Sequence, residues 1–199
     1  MSYYVNEESF KRARITHILL IANIVCFIVF NLILSEEIMF YFVQYNRWVI
    51  ERNFWWQLLT CMFLHAGLSH LVSNVIGLVF SGTAVEQYYN RKQFVIIYFG
   101  SGLIGSFFTL VLNPLDTASL GASGAIFGLL GATLYIVIKT DRNFIIYIGL
   151  YLVLFLYNSF QPGIGTWAHI FGLLSGFFFG YLFKHNQLRG FRVVERRRF

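Results

Sequence analysis

From Ser119 to Ile138 the chain reads SLGASGAIFGLLGATLYIVI, 20 residues without a single charge. At about 1.5 Å of rise per residue, a helix of this length crosses the roughly 30 Å hydrocarbon core of a bilayer. The neighbouring sequence repeats the pattern. No Asp, Glu, Lys or Arg falls between Arg52 and Glu86, between Lys92 and Asp116, or between Arg142 and Lys184. Only 12% of the 199 residues are charged, 57% are hydrophobic and 20% aromatic. A soluble domain carries about 25% charged residues to keep its surface wet, so that class is excluded.

Turn signals divide these runs. Tyr89-Asn90-Arg91-Lys92, Asn113-Pro114-Leu115-Asp116, Thr140-Asp141-Arg142-Asn143 and Gln161-Pro162-Gly163 separate apolar segments. The expected fold is all-α, a polytopic bundle of six transmembrane helices: Ile15–Leu34, Leu68–Gln87, Gln93–Leu112, Ser119–Ile138, Phe144–Phe160 and Trp167–Lys184. The first run follows Lys11, Arg12 and Arg14 but lacks a small-residue cleavage pattern, so it reads as an uncleaved span. Residues 35–67 mix Glu36, Glu37, Arg47, Glu51 and Arg52 with Trp48, Trp55 and Trp56, which suits a helical loop lying at headgroup level. The chain thus divides into a cytoplasmic segment 1–14, a membrane domain 15–184 and a basic cytoplasmic tail 185–199.

Orientation follows from the basic residues. With the N-terminus in the cytoplasm, 13 of the 15 Lys and Arg residues lie on that side, and only Arg47 and Arg52 lie outside. Both termini are then cytoplasmic. The net charge of +6 and the basic tail are better matched to topology and anionic lipid than to nucleic acid, and no nucleic-acid partner is expected. Cys26 and Cys61 lack CxxC or Cys/His metal spacing and read as packing residues. No metal, nucleotide or redox cofactor is implied.

Polar groups inside a bilayer are costly and need a reason. The informative ones are His65, His70, Asn74, Glu86, Ser123 and His169. Any one of them alone reads as a helix-bridging residue. Their depth argues otherwise for four. His70 and Asn74 fall early in the second span, Ser123 early in the fourth and His169 early in the sixth, so all four reach one level about 5–10 Å below the outer surface. Glu86 belongs to the opposite end. Gly121-Ala122-Ser123-Gly124 opens a helix whose first N–H groups lack intrahelical partners, and these can stabilise an oxyanion beside the Ser123 hydroxyl. His70 and Asn74, at i and i+4, share a face and can donate to the same oxyanion. His169 is the candidate base, with no carboxylate at its depth, which predicts a Ser–His dyad. Ala168, Gly172, Gly176 and Gly180 form one small-residue stripe and Gly124, Gly128 and Gly131 another. Packing these together brings His169 to Ser123.

These motifs resemble the rhomboid family of intramembrane proteases. The likeness covers roughly Trp56 to Phe183 and rests on His65-Ala66-x4-Asn74 with His70 between, Gly82-x3-Glu86, Gly121-x-Ser123-Gly124 and Ala168-His169-x2-Gly172. It implies a serine endopeptidase of the minimal six-span bacterial type, in a bacterial cytoplasmic membrane, that cuts transmembrane protein substrates near the outer face. By the same likeness Ser123 is the nucleophile and His169 the general base and acid. His70, Asn74 and the Ser123 backbone N–H are the oxyanion donors, and His65 and Glu86 have structural roles. The alternative is a catalytically silent rhomboid-like protein that binds membrane clients. Two departures stand out. Trp56-Gln57 stands where the family often has Trp-Arg, removing a cation, with a looser first loop or altered lipid contact as the expected effect. Phe127 stands where the family often has a Tyr packed on the catalytic His, keeping the ring but losing the hydroxyl, with activity expected to survive.

Overall fold

The computed structural model describes residues 6–140, 149 and 165–196. Among them, four helices are long and apolar enough to span a membrane, covering Arg14–Ile33, Leu68–Tyr88, Arg91–Leu112 and Thr166–His185, with a shorter apolar helix over Ser123–Lys139. The protein is therefore an all-α polytopic membrane bundle. The expected fifth span, Phe144–Phe160, lies outside the described residues except for Gly149.

A short helix α1 (Glu7–Arg12) starts with an Asn6/Ser9 capping box, and α2 (Arg14–Ile28) follows directly. Ala13 gives α2 no side-chain cap. Glu86 supplies one from a distance: its carboxylate accepts the Thr16 N–H and Thr16 hydroxyl at 2.7 Å each and the Ile15 N–H at 3.2 Å. A carboxylate at a helix N-terminus satisfies orphan donors and complements the dipole. Gly82, one turn before Glu86, has no side chain because Thr16 fills that space. The last turn of the first span, Val29–Ile33, widens to a π-helix.

The loop that follows is built from α3 (Glu36–Phe40), the two-residue strand β1 (Gln44–Tyr45), α4 (Asn46–Glu51), α5 (Gln57–Thr60) and a 3-10 turn over Cys61–Phe63. This helical, aromatic layer agrees with the expected loop. At its departure from the expected motif the loop gains contacts of another kind. Gln57 is buried, its Oε1 accepts the Tyr45 N–H at 3.0 Å, and its Nε2 donates to the Tyr41 carbonyl at 3.2 Å. The neutral amide thus ties two loop segments together.

Helix α6 (Leu68–Tyr88) starts after Gly67. Helix α7 (Arg91–Leu112) opens with an Asn90/Gln93 capping box and stops at Asn113 before Pro114. The segment then departs from the expectation of a helix from Ser119. Ala118–Ser119 form β2, paired antiparallel with β1 through Tyr45↔Ala118 and Gln44↔Ser119. Gly121 takes φ +127°, a conformation that only glycine adopts without strain, and helix α8 (Ser123–Thr140) begins two residues later. The sequence is apolar on both sides of this point, so periodicity alone did not reveal the strand.

Helix α8 is the centre of the bundle. Ile126, Phe127, Leu129 and Ala132 have no exposed surface, which explains a helix that is apolar on every face. Around it, α2, α6 and helix α9 (Thr166–Arg196) turn Ile18, Ile21, Phe80, Leu174 and Phe178 outward, a lipid-facing surface. The two glycine stripes meet as expected. A side chain at Gly172 or Gly176 would collide with the backbone of Gly124 or Gly128, and one at Gly131 with the Leu173 carbonyl. Helix α7 adds its own small-residue contact, Gly105 against the Ala168 backbone. Helix α9 continues unbroken past His185 to Arg196, through the segment expected as a tail.

Candidate active site

Ser123 is the first residue of α8 and His169 lies in the first turn of α9. Close packing at Gly124–Gly172 brings the two together, and Ser123 Oγ and His169 Nε2 are 2.6 Å apart. His169 is buried, and Phe127, one turn after Ser123, stacks on its imidazole with ring centroids 4.5 Å apart at 24°. The phenyl ring provides that contact without a hydroxyl.

His70 approaches from α6. A Cβ on Gly121 would stand 2.8 Å from His70 Nε2 and 3.7 Å from Ser123 Oγ, so this glycine lies between the two groups. The Ala66 N–H donates to His70 Nδ1 at 3.4 Å, which leaves the proton of the neutral ring on Nε2, facing Gly121. Asn74 is buried on the same face, and its Nδ2 donates to the His70 carbonyl at 2.8 Å. Among the described residues its Oδ1 has no hydrogen-bond partner. Ser123, His169 and His70 thus gather around one point, and Asn74 lies one turn along α6 from His70.

Of the other two, His65 borders this point and Glu86 lies far from it. His65 is fully buried, with its ring edge-on to His70 at 5.2 Å, and its carbonyl accepts the Asn31 amide at 2.9 Å. Glu86 is at the far end of α6, bonded to α2 as described above.

Sequence reasoning missed the groups that hold the Ser123 loop. The Gly121 N–H donates to the Cys61 carbonyl at 2.9 Å, and the Asn46 and Arg47 N–H groups donate to Thr117 and Leu115 carbonyls at 3.1 and 2.8 Å. At the surface Arg47 bonds Asp116 through Nε at 3.0 Å and Nη2 at 2.9 Å, while Tyr45 donates to the same oxygen. This hydrogen bonding from Arg47 holds the Asp116 carboxyl below the usual carboxylate range. The Cys61 thiol is pushed up to about 12 by burial and stays protonated.

A polytopic helical membrane protein with a serine hydroxyl held against a buried imidazole at a helix start belongs to a narrow class. Comparison with known proteins specifies it. A family model, the Rhomboid domain, matches residues 52–186. The chain is 39% identical over 135 residues to the rhomboid protease GluP of Bacillus subtilis (strain 168), covering 65% of this chain and 26% of that protein. It is 38% identical over 142 residues to the putative rhomboid protease YdcA of the same organism, covering 68% and 70%. To RHOMBOID-like protein 1 of Arabidopsis thaliana it is 34% identical over 152 residues, covering 72% and 38%. The chain therefore belongs to the rhomboid family, and it spans about a quarter of the length of GluP.

Proposed function

We propose that the protein is an intramembrane serine endopeptidase that hydrolyses peptide bonds in or beside transmembrane segments of other membrane proteins. The observation that carries this reading is the 2.6 Å Ser123–His169 hydrogen bond at the start of a central helix. Kinship with rhomboid proteases supports the same activity.

In this reading the Ser123 hydroxyl donates to His169 Nε2, which takes the proton as Oγ attacks the scissile carbonyl. His169 later returns the proton to the leaving amine. The negative oxygen of the tetrahedral intermediate faces the Ser123 backbone N–H, the His70 Nε2–H and the second N–H of Asn74. Phe127 keeps the imidazole plane fixed. Gly121 and Gly124 flank the nucleophile and leave little space, so a small substrate residue at the cut is preferred. Equal cleavage at bulky and small residues would count against that preference.

The bundle supports one topology. Glu86 joins the end of α6 to the start of α2, and Lys184 lies over the Tyr89 ring at 5.5 Å, so Lys11, Arg12, Arg14, Arg91, Lys92 and Lys184 cluster at one end. Ser123 and Arg47 are toward the other. Positive charge on the cytoplasmic side then sets segments 1–14 and 185–199 in the cytoplasm and opens the Ser123 site to the outer face.

The test is cleavage of a model transmembrane substrate in liposomes by the wild type, Ser123→Ala and His169→Ala. Cleavage lost in both variants, with thermal unfolding retained, is the expected result. Cleavage indifferent to Ser123 overturns the reading and favours client binding.

A further inference from the structure

The loop from Asn113 to Ala122 determines where Ser123 sits, and most of what holds it comes from residues 44–47. Gln44 and Asn46 are buried amides with 1% and 0% exposure. Asn46 Nδ2 donates to the Thr109 carbonyl at 3.3 Å and to the Pro114 carbonyl at 3.1 Å. It thereby joins the last turn of α7 to the first residues of the loop. Gln44 Nε2 donates to the Ser106 carbonyl at 3.0 Å and to Asn46 Oδ1 at 3.2 Å, which fixes the orientation of the Asn46 amide. The backbone of the same segment pairs with Thr117 and Leu115, and β1 pairs with β2. Two residues past β2, Gly121 is anchored to Cys61, whose thiol contacts Gln44 Oε1 and Ser106 Oγ at 3.9 and 3.6 Å.

Carbonyls in the last turn of a helix need partners when they are buried, and a side-chain amide is a suitable donor. Locally, the Asn113 N–H bonds the Thr109 carbonyl at 3.2 Å and the Thr117 N–H bonds the Pro114 carbonyl at 3.1 Å. Asn46 adds a second donor to each from more than 60 residues earlier in the chain, and so connects both sides of the α7–loop junction. Shortening or charging that side chain frees the junction to shift along the β1–β2 ladder. Ser123, Gly121 and the adjacent N–H groups would move with it.

We infer that Asn46, oriented by Gln44, is a positioning residue for the Ser123 nucleophile, acting through the 113–122 loop rather than by contact with substrate. The inference rests on the proposed role of Ser123. A displacement of about 1 Å at a reacting group can lower a rate by on the order of 10²-fold.

The experiment reads Ser123 directly. An alkyl fluorophosphonate reacts by attack of the serine oxygen on phosphorus: the O–P bond forms, the P–F bond breaks, fluoride leaves and the hydroxyl proton passes to the imidazole and then to solvent. The labelling rate is measured on full-length protein in detergent, with the labelled residue identified by mass spectrometry and thermal unfolding followed in parallel. Three variants are compared: Asn46→Ala, the same-shape Asn46→Asp, and Asn23→Ala. Asn23 is buried in α2, donates to the Leu19 carbonyl at 2.7 Å, has no contact with the 113–122 loop among the described hydrogen bonds, and reports the effect of lost stability.

The expected result is folded Asn46 variants that label at Ser123 on the order of 10²-fold more slowly, with Asn23→Ala near the wild-type rate. Folded Asn46 variants that label at the wild-type rate overturn the inference, as does equal slowing in Asn23→Ala. If Asn46→Ala does not fold, Asn46→Asp gives the same comparison. Failure of the wild type to label at Ser123 would instead refute the proposed nucleophile.

Discussion

Substituting Gly172 with alanine tests the idea that the seam between α8 and α9 sets the reactive distance. A Cβ at Gly172 would overlap the Gly124 carbonyl oxygen and stand 3.0 and 3.3 Å from the Gly124 carbonyl carbon and Cα. Backbone cannot rotate away as a side chain can, so the helices must part by about 1 Å to reach ordinary contact. Gly124 adjoins Ser123, and Gly172 is one turn from His169. The same separation would stretch the Ser123–His169 contact from 2.6 Å to a length at which a hydrogen bond is no longer formed. Overpacking of this kind costs about 1–3 kcal/mol of stability, and displacing His169 from its proposed role as base costs on the order of 10²-fold in kcat/KM. The assay is cleavage of a model transmembrane substrate in liposomes alongside thermal unfolding in detergent, with Leu174→Ala on the lipid-facing side as the control. A Gly172→Ala variant within twofold of wild type in both measurements would refute the argument.

Three further outcomes are expected. Gln57→Ala leaves the Tyr45 N–H without its acceptor and lowers stability by about 1–3 kcal/mol, measured by thermal unfolding, whereas a loop indifferent to the change would show that water replaces the amide. Glu86→Ala removes the acceptor for three α2 donors and lowers stability by about 1–3 kcal/mol, with Glu86→Gln intermediate because one acceptor oxygen remains, and equal stability of all three proteins would sink the capping account. Asp116 titrates lower in the folded protein than in the unfolded chain, so its bond to Arg47 stabilises the fold above the usual carboxylate range and that contribution fades as pH falls through the lowered value. An Asp116→Asn variant should therefore lose stability less steeply on acidification, and identical acid limbs for both proteins would contradict the shift.

The sequence carried the helical architecture because bilayer spans are written in long charge-free runs. His70, Asn74, Ser123 and His169 could be grouped in the sequence because helical rise converts residue number into depth, and span direction then aligns separate helices. The glycine stripes gave the contact between α8 and α9 for a related reason: close helix approach has few sequence solutions. What stayed hidden depended on tertiary pairing. Ser119 looks helical in an apolar run, and only its partner Gln44, far away in the chain, makes it a strand. Gln57 looked like a lost cation, yet its amide meets backbone groups that no local pattern announces. Asn46 gave no signal because its acceptors are carbonyls, which every residue has.

The bonds around Ser123 also impose an order on biosynthesis. Residues 44–47 emerge long before the carbonyls they will bind, so this segment must wait at the membrane surface until α7 and the following loop have been inserted. Even then the hydroxyl of Ser123 lacks its imidazole, because His169 arrives on α9, 46 residues later. A ribosome-bound chain that has threaded α8 but not α9 carries a serine with ordinary alcohol reactivity. On the role proposed for Ser123, assembly then acts as a safety catch, and nascent membrane proteins crowding the same insertion site meet no armed nucleophile until the last of these helices has docked.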